Sequence, residues 1–478
     1  MNLKEFFELK GYSITEKENY DSYIDKWDSW YKGKVKKFHT YWIYNRPGHK
    51  VKRERRSLQM AKKVCEDWAD LLFDEKVKMT LSNEDDNKIL QELIKKLNLM
   101  VLVNRGVEKS FALGTGALVL SVQKIKTDGT VLDVSNAEVF AEFVEAQKIY
   151  PLSWNNEEIT ECAFVTYKTE KGKKYAYISM HILNEDSNYV IKNYKFRLNN
   201  KQLEPMEDET ILEEFDTHSN LKWFSIIKPN ICNNLDTDTP FGISVYANSI
   251  YTLMNIDNIY DTKDLEVTLG RRRTFVSEDM MTYDDGNQTL VFDPNDISVY
   301  TLPKGFNKDM MIQSDNDDLR TDKMIADLDS ELNVLSSKVG FGNERYKFDK
   351  GDIQTATGVI SANSDMFRTI KKHELVLENS IVNFLLALIY ACRTFTAINF
   401  KEDPEIKIDF DDSIIEDKGA EQLRAQTEVS QGLRSKKDYM ENIRGLSAEQ
   451  IETELQQITN EQQSPESALG FNVSEEVM

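Results

Sequence analysis

Three consecutive arginines, Arg271, Arg272 and Arg273 of the stretch GRRRTFV, stand in a chain of 478 residues whose formal net charge is −21. Cations so placed could approach DNA, pair with acids of another copy, or only complement the carboxyl end of a helix. A second basic stretch, KGKVKKFHTYWIYNRPGHKVKRERR over residues 32–56, is interleaved with Phe38, Tyr41, Trp42 and Tyr44. That mixture suits tracking of a nucleic-acid backbone with stacking on its bases. In so acidic a protein it suits equally a clamp on an acidic surface of a neighbouring copy. Carboxylates cluster at Asp284/Asp285, Asp315 to Asp318 and Asp409 to Asp412, the raw material of a Mg²⁺-dependent nuclease. No ligand spacing or flanking histidine accompanies them, so solvated turns and caps account for them.

Other catalytic signatures are missing. The sequence contains no GxxxxGK(S/T), HExxH, GxSxG or EF-hand pattern, so neither an ATP-driven motor nor a common hydrolase is expected, and no cofactor. Cys65, Cys162, Cys232 and Cys392 lie far apart without a CxxC and are expected as reduced core thiols, with no metal site. The pI near 4.9 argues against a protein whose main task is to grip phosphates, though not against one past which DNA slides. The opening MNLKEFFELKGYS lacks the apolar run of a secretory signal. The run Ile381 to Cys392 is short of the ~18 residues of a membrane span and is expected as a buried helix.

The elements that must position these groups are helical at first. Met60, Val64, Trp68 and Leu71/Leu72 recur at helical spacing before the strand-like KVKMTL. KILQELIKKLNLMVLVNRGVEKSFALG reads as another helical stretch, turned at its glycines into the buried strand of GTGALVLSV. From about Val131 to Asn230 the pattern alternates as strands, with turns at EKGKK and NEDSN. After DTDTPFG, residues Ile243 to Leu269 contain no Gly or Pro, which predicts a helix of ~40 Å.

A short module of strands follows, with its tightest turn at DDGN. The acidic SDNDD then suits a helix N-terminus, and Ile325, Leu328, Leu332, Leu335 and Val339 follow at spacings of 3, 4, 3 and 4. That is a narrow seam wanting one partner alongside. GFGNERYKFDKGD reads as a polar loop. A very long helical segment comes next, with Gly358 permitting a kink near its start. Acidic loops and helices complete the chain before a polar tail that is expected to be disordered.

In this layout the chain resembles the portal proteins of tailed bacteriophages, in particular those of siphophages of Gram-positive hosts. The resemblance is carried by WDSWYKGKVKKFH, RRSLQMAKKVCEDWADLLFDEKV, TPFGISVYANSIYTLMNIDNIYDTKDLEVTLGRRRTFV and TATGVISANSDMFRTI. It covers most of the chain in order, leaving roughly the last 60 residues unspecific.

It implies an α+β portal fold assembled as a ring of usually twelve subunits. The wing would take residues 1–240 and a stem helix 241–269. The clip would take 270–313, the second stem helix 314–339 and a tunnel loop 340–355. A long wing helix would take 356–400, a crown 401–463 and a tail 464–478.

The same resemblance implies a non-enzymatic conduit at one capsid vertex of the virion, assembled in the host cytoplasm and without a membrane partner. Double-stranded DNA would pass through it. Its implied partners are the terminase large subunit, a head–tail adaptor, and the major capsid and scaffolding proteins. Glu344, Arg345, Lys347 and Lys350 would then face the channel, Arg271 to Arg273 would mark the stem–clip joint, and Ile325, Leu328, Leu332, Leu335 and Val339 would form the subunit-packing seam. A metal-dependent DNA-processing enzyme and a capsid protein without a channel are the competing readings.

Overall fold

The amino terminus opens on a capping box: Asn2 Oδ1 accepts from the Glu5 amide and the Glu5 carboxylate from the Asn2 amide, both at 2.8 Å. This starts α1 (Leu3–Leu9). The architecture is that of a computed structural model. It describes residues 1–44, 48–123, 126–128, 131–133, 137–200, 202–206, 212–269, 273–278, 282–284, 289–291, 299–303, 312–315, 319–343, 345–346, 364–396, 398, 400–401, 404–410, 418–444 and 450–456. They fall into two units, residues 1–353 with 362–410, and residues 354–361 with 411–478.

In the first unit α2 (Thr15–Tyr31) and the helical turn α3 (Lys36–His39) lead into a hairpin, β1 (Thr40–Tyr44) and β2 (Lys50–Glu54). Then come α4 (Met60–Leu72), β3 (Lys78–Leu81), α5 (Glu84–Lys96) and α6 (Leu99–Leu113). The stretch read as one helix is thus two. Asn83 caps α5 by accepting from Asp85 and Asp86, and Asn98 breaks the run at φ +50°, a left-handed conformation that Asn tolerates better than most residues.

The strand-rich module follows as its alternation predicts: β4 (Gly116–Gln123), the small pair β5 (Lys126–Asp128) and β6 (Val131–Asp133), β7 (Glu138–Glu145), β8 (Ile149–Asn155), β9 (Glu158–Glu170), β10 (Lys173–Leu183), β11 (Tyr189–Asn199), β12 (Gln202–Pro205), β13 (Glu214–Asp216) and β14 (Phe224–Ile227). Strands β8 to β12 form an antiparallel meander, with β13 also on β11, while β14, β4 and β7 make a second sheet. The two-residue turn between β9 and β10 has Lys171 at φ +47° and Gly172 at φ +78°, which matches the twist of a tight hairpin. Alternate residues Ala163, Val165, Ala176, Ile178 and Met180 bury Phe6 and Phe7 of α1 on one face of the meander.

The helix expected from Ile243 begins at Ile250, as α7 (Ile250–Leu269), which at 1.5 Å per residue is ~30 Å long. Residues 242–246 are committed elsewhere. Gly242 N–H donates to Thr115 Oγ1 at 3.0 Å, Val245 N–H to the Phe111 carbonyl at 3.0 Å, and Tyr246 Oη to the Trp27 carbonyl at 2.8 Å. Glycine is required where this segment crosses the end of α6, because a Cβ on Gly242 would lie 2.5 Å from the Gly114 carbonyl oxygen.

Beyond α7 come β15 (Arg273–Ser277), the pair β16 (Thr282–Asp284) and β17 (Thr289–Val291), β18 (Val299–Leu302) and β19 (Ile312–Asp315), then α8 (Thr321–Lys338). The acidic SDNDD therefore does not start the helix: Ser314 and Asp315 pair with Thr274 and Arg273 in the sheet, and α8 starts six residues after Asp315. Helix α9 (Ser364–Phe395) is long and apolar enough by composition to cross a membrane. Its Ile381, Phe384, Leu385, Leu388 and Cys392 are instead buried, and Ser380 Oγ donates to the Ile226 carbonyl of β14 at 2.8 Å. Strand β20 (Ile406–Asp409) pairs with β3, so residues 401–410, expected with the crown, belong to the first unit. Cys232 is exposed, against the expectation of four core thiols. The kink at Gly358 and the tail 464–478 lie outside the described residues.

The second unit contains α10 (Lys418–Ser430), ended by Gly432 at φ +73°, and the turn α11 (Lys436–Asp438) running on to Ile443. Arg444 pairs with Glu454 at 2.8 Å.

Burial makes two histidines acid-labile. His181 of β10 and His373 of α9 are held down to about pKa 3 by desolvation, His373 with a smaller push from Lys372. The unfolded chain binds their protons near 6.5, so folding stability is full above that pH and falls as pH drops toward 3. Between pH 6.5 and 5 we expect up to about 1.4 kcal/mol lost per pH unit for each histidine. Urea unfolding at pH 7, 6 and 5 measures the slope, and a flat profile would show that neither imidazole is buried neutral.

Candidate functional site

Helices α7 and α8 lie side by side and antiparallel. From the far end inward, Arg320 grips Glu266 through Nε and Nη2 at 3.0 and 2.9 Å, Asn255 donates to Glu331 at 3.3 Å, and Lys338 donates to the Asn248 carbonyl at 3.4 Å. Leu328, Leu332, Leu335 and Val339 are all buried in the single chain, as are Leu253 and Ile256 of α7. The seam read from the sequence thus faces inward for four of its residues, whereas Ile325 is 37% exposed. Among the described residues, the large apolar side chains this pair leaves exposed are Ile325, Val334, Tyr251 and Val267.

The far end of the pair carries the small β module. Strand β15 is its centre, parallel to β18 and antiparallel to β19, and the register sets Arg273 opposite Asp315. Arg271 and Arg272 lie outside the described residues.

The near end of α8 roots the loop that begins at Gly340. Gly340 is at φ +92°, where a Cβ would meet Thr369 Cγ2 at 2.8 Å, so only glycine turns the chain here without strain. Phe341 then stacks on Trp68 of α4, with centroids 4.5 Å apart and planes at 20°, and Trp68 Nε1–H donates to the Val339 carbonyl at 3.1 Å. His373 meets the Trp68 ring edge-on at 4.9 Å. One turn before Trp68 on the same helix, Lys63 reaches Asp67 at 2.9 Å, and Arg345 reaches it from the loop at 3.8 Å. Burial, and Asp67 beside it, push the Tyr346 hydroxyl well above its usual range. Of the loop residues singled out in the sequence, Arg345 is thereby tied to the loop's root. Glu344, Lys347 and Lys350 lie outside the described residues.

The basic aromatic segment is clamped onto its own chain. Asp257 and Asp261 of α7 are buried. Asp257 Oδ1 accepts from the Leu58 amide at 2.8 Å, and its Oδ2 lies 3.0 Å from His39 Nε2. Because His39 Nδ1 accepts from the Val35 amide at 2.8 Å, the ring proton sits on Nε2 and points at the carboxylate. Asp261 accepts from the Tyr41 hydroxyl at 3.0 Å and the Arg56 amide at 3.1 Å, and Arg56 Nη1 meets Asp264 at 2.8 Å. The signal was present in the sequence: Asp257, Asp261 and Asp264 are spaced 4 and 3, one stripe of a helix.

Of the carboxylate clusters, Asp284, Asp315 and Asp409 are in strands, and Asp285, Asp317, Asp318, Asp411 and Asp412 lie outside the described residues. Among the described residues no three His, Cys, Asp or Glu side chains gather as a metal site. What the geometry builds is an antiparallel helix pair bearing a β module at one end and a rooted loop at the other.

Comparison with curated proteins returned no match. The model of the family described as phage portal protein, SPP1 Gp6-like, matches residues 11–467, nearly the whole chain. With a mixed helix and sheet architecture that suits it, the chain belongs to the SPP1 Gp6-like family of phage portal proteins.

Proposed function

We propose that twelve copies form a ring at one capsid vertex, with α7 and α8 as the stem around an axial channel and residues 270–313 as the clip. Double-stranded DNA passes through the channel during packaging and leaves by it at ejection. The terminase large subunit docks on the clip first and a head–tail adaptor replaces it, while major capsid and scaffolding proteins surround the wing. The protein itself catalyses nothing: its acidic walls repel DNA and keep it from adhering. The observation that carries this reading is the antiparallel α7/α8 pair with a β module between its far ends, which leaves Tyr251, Val267, Ile325 and Val334 exposed for neighbours alongside.

In this reading the loop from Gly340 reaches into the channel from its anchor at Trp68, and its mixed charges touch phosphates only transiently. Replacing Lys347 and Lys350 by Gln should slow the appearance of DNase-protected DNA in a packaging reaction with terminase, with ring mass unchanged. Packaging at the wild-type rate would remove the loop from the channel.

A further inference from the structure

The hairpin β1–β2 has a bound root and an open tip. In its register Tyr41 pairs with Arg53 and Ile43 with Val51 on one face, while Trp42 pairs with Lys52 and Tyr44 with Lys50 on the other. The Tyr41 hydroxyl holds Asp261, so the first face turns toward α7. Two residues on, the same face has passed the helix, and Ile43 and Val51 stand 38% and 41% exposed. Behind them Trp42 and Tyr44 are 52% and 74% exposed, with Lys50 over the Trp42 ring at 4.8 Å. Two strands with apolar residues bare on both faces gain stability only when something covers them.

Charge and geometry say what covers them. Residues 32–56 carry ten Lys and Arg against one acid, Glu54, in a chain of net charge −21, so another copy of the chain offers complementary charge. An aliphatic pair such as Ile43 and Val51 gives a nucleic-acid base no ring to stack on, whereas a protein surface buries it. A ring joins two different faces of each copy. The hairpin leaves α7 on the Asp257 side, and Tyr251, 81% exposed, lies roughly 120° around the same helix. Tyr251 stands level with exposed Val334, between the Lys338–Asn248 and Asn255–Glu331 contacts, and Asp327, Glu331 and Val334 form one line along α8.

We propose that the hairpin tip packs on the stem pair of the next copy, with Ile43 and Val51 against Tyr251 and Val334, and with the hairpin's basic residues beside Asp327 and Glu331. This rests on the ring reading above. In a Cys232→Ser background, Ile43→Cys combined with Val334→Cys should give, on oxidation of assembled rings, a non-reducing ladder of covalent oligomers that neither single variant gives. Intact rings that yield only monomer overturn the inference and leave the ring standing. Wild-type protein that forms no ring overturns both.

As a second measurement, Ile43→Ser with Val51→Ser should raise the concentration needed for assembly about tenfold or more while leaving the thermal unfolding of the monomer in place. Unchanged assembly counts against the proposal. Loss of salt-sensitive binding to duplex DNA with assembly unchanged would assign the tip to nucleic acid and overturn it.

Discussion

Trp68→Ala is expected to lower the unfolding free energy of the first unit by about 3–5 kcal/mol, the range for removing a fully buried aromatic side chain. The cavity would open where three elements meet, because Trp68 stacks on Phe341, touches His373 and Phe111, and is completely buried. It would also leave the Val339 carbonyl without its indole donor, about 1–3 kcal/mol if water cannot enter. Trp68→Phe keeps most of the stacking surface and should cost markedly less. The consequence reaches function through the loop: with Phe341 unstacked, the segment after Gly340 loses its anchor. Denaturant titration should show the stability loss, and limited proteolysis should show faster cutting within residues 340–352. A loss under 1 kcal/mol with unchanged proteolysis would mean that Trp68 does not root the loop.

Asp257→Ala should cost about 2–5 kcal/mol, because it strands two donors at once, the Leu58 amide and the His39 Nε2–H, in a buried place. Asp264→Ala is the contrast. Its partner Arg56 is 60% exposed, so solvent screens the pair and its loss should stay within about 1 kcal/mol. Hydrogen exchange should follow the same order, with the amides of Thr40–Tyr44 and Lys50–Glu54 exchanging faster in Asp257→Ala and near wild type in Asp264→Ala. Equal effects of the two substitutions would contradict a clamp centred on the buried carboxylates.

Much of this could be read from local pattern. Strand alternation places the meander because one face of each strand is buried, and Gly172 marks its tightest turn for a backbone reason that sequence displays directly. The apolar stripe of α8 is legible too, but it reads as packing on another subunit, whereas four of its five residues are buried within the single chain. The losses have a common cause, namely contacts distant in sequence. Residues 243–246 have helical composition, yet bonds from Gly242, Val245 and Tyr246 to Thr115, Phe111 and Trp27 hold this segment in another path. The acids of SDNDD suit a helix start, yet pairing with β15 takes Ser314 and Asp315 into a sheet. The basic aromatic segment was ambiguous because its partner stripe, Asp257, Asp261 and Asp264, lies some 200 residues away. Cys232 stands alone in a polar stretch, and nothing in its neighbours distinguishes a buried thiol from its exposed one.

Native mass spectrometry of the purified wild-type chain, with negative-stain imaging of the same sample, tests the central claim most directly. One chain weighs 55.4 kDa, so a twelve-fold ring should appear at about 665 kDa and show end-on views with a central pore. A protein that stays monomeric at every concentration, with no ring in phage heads, would contradict the account.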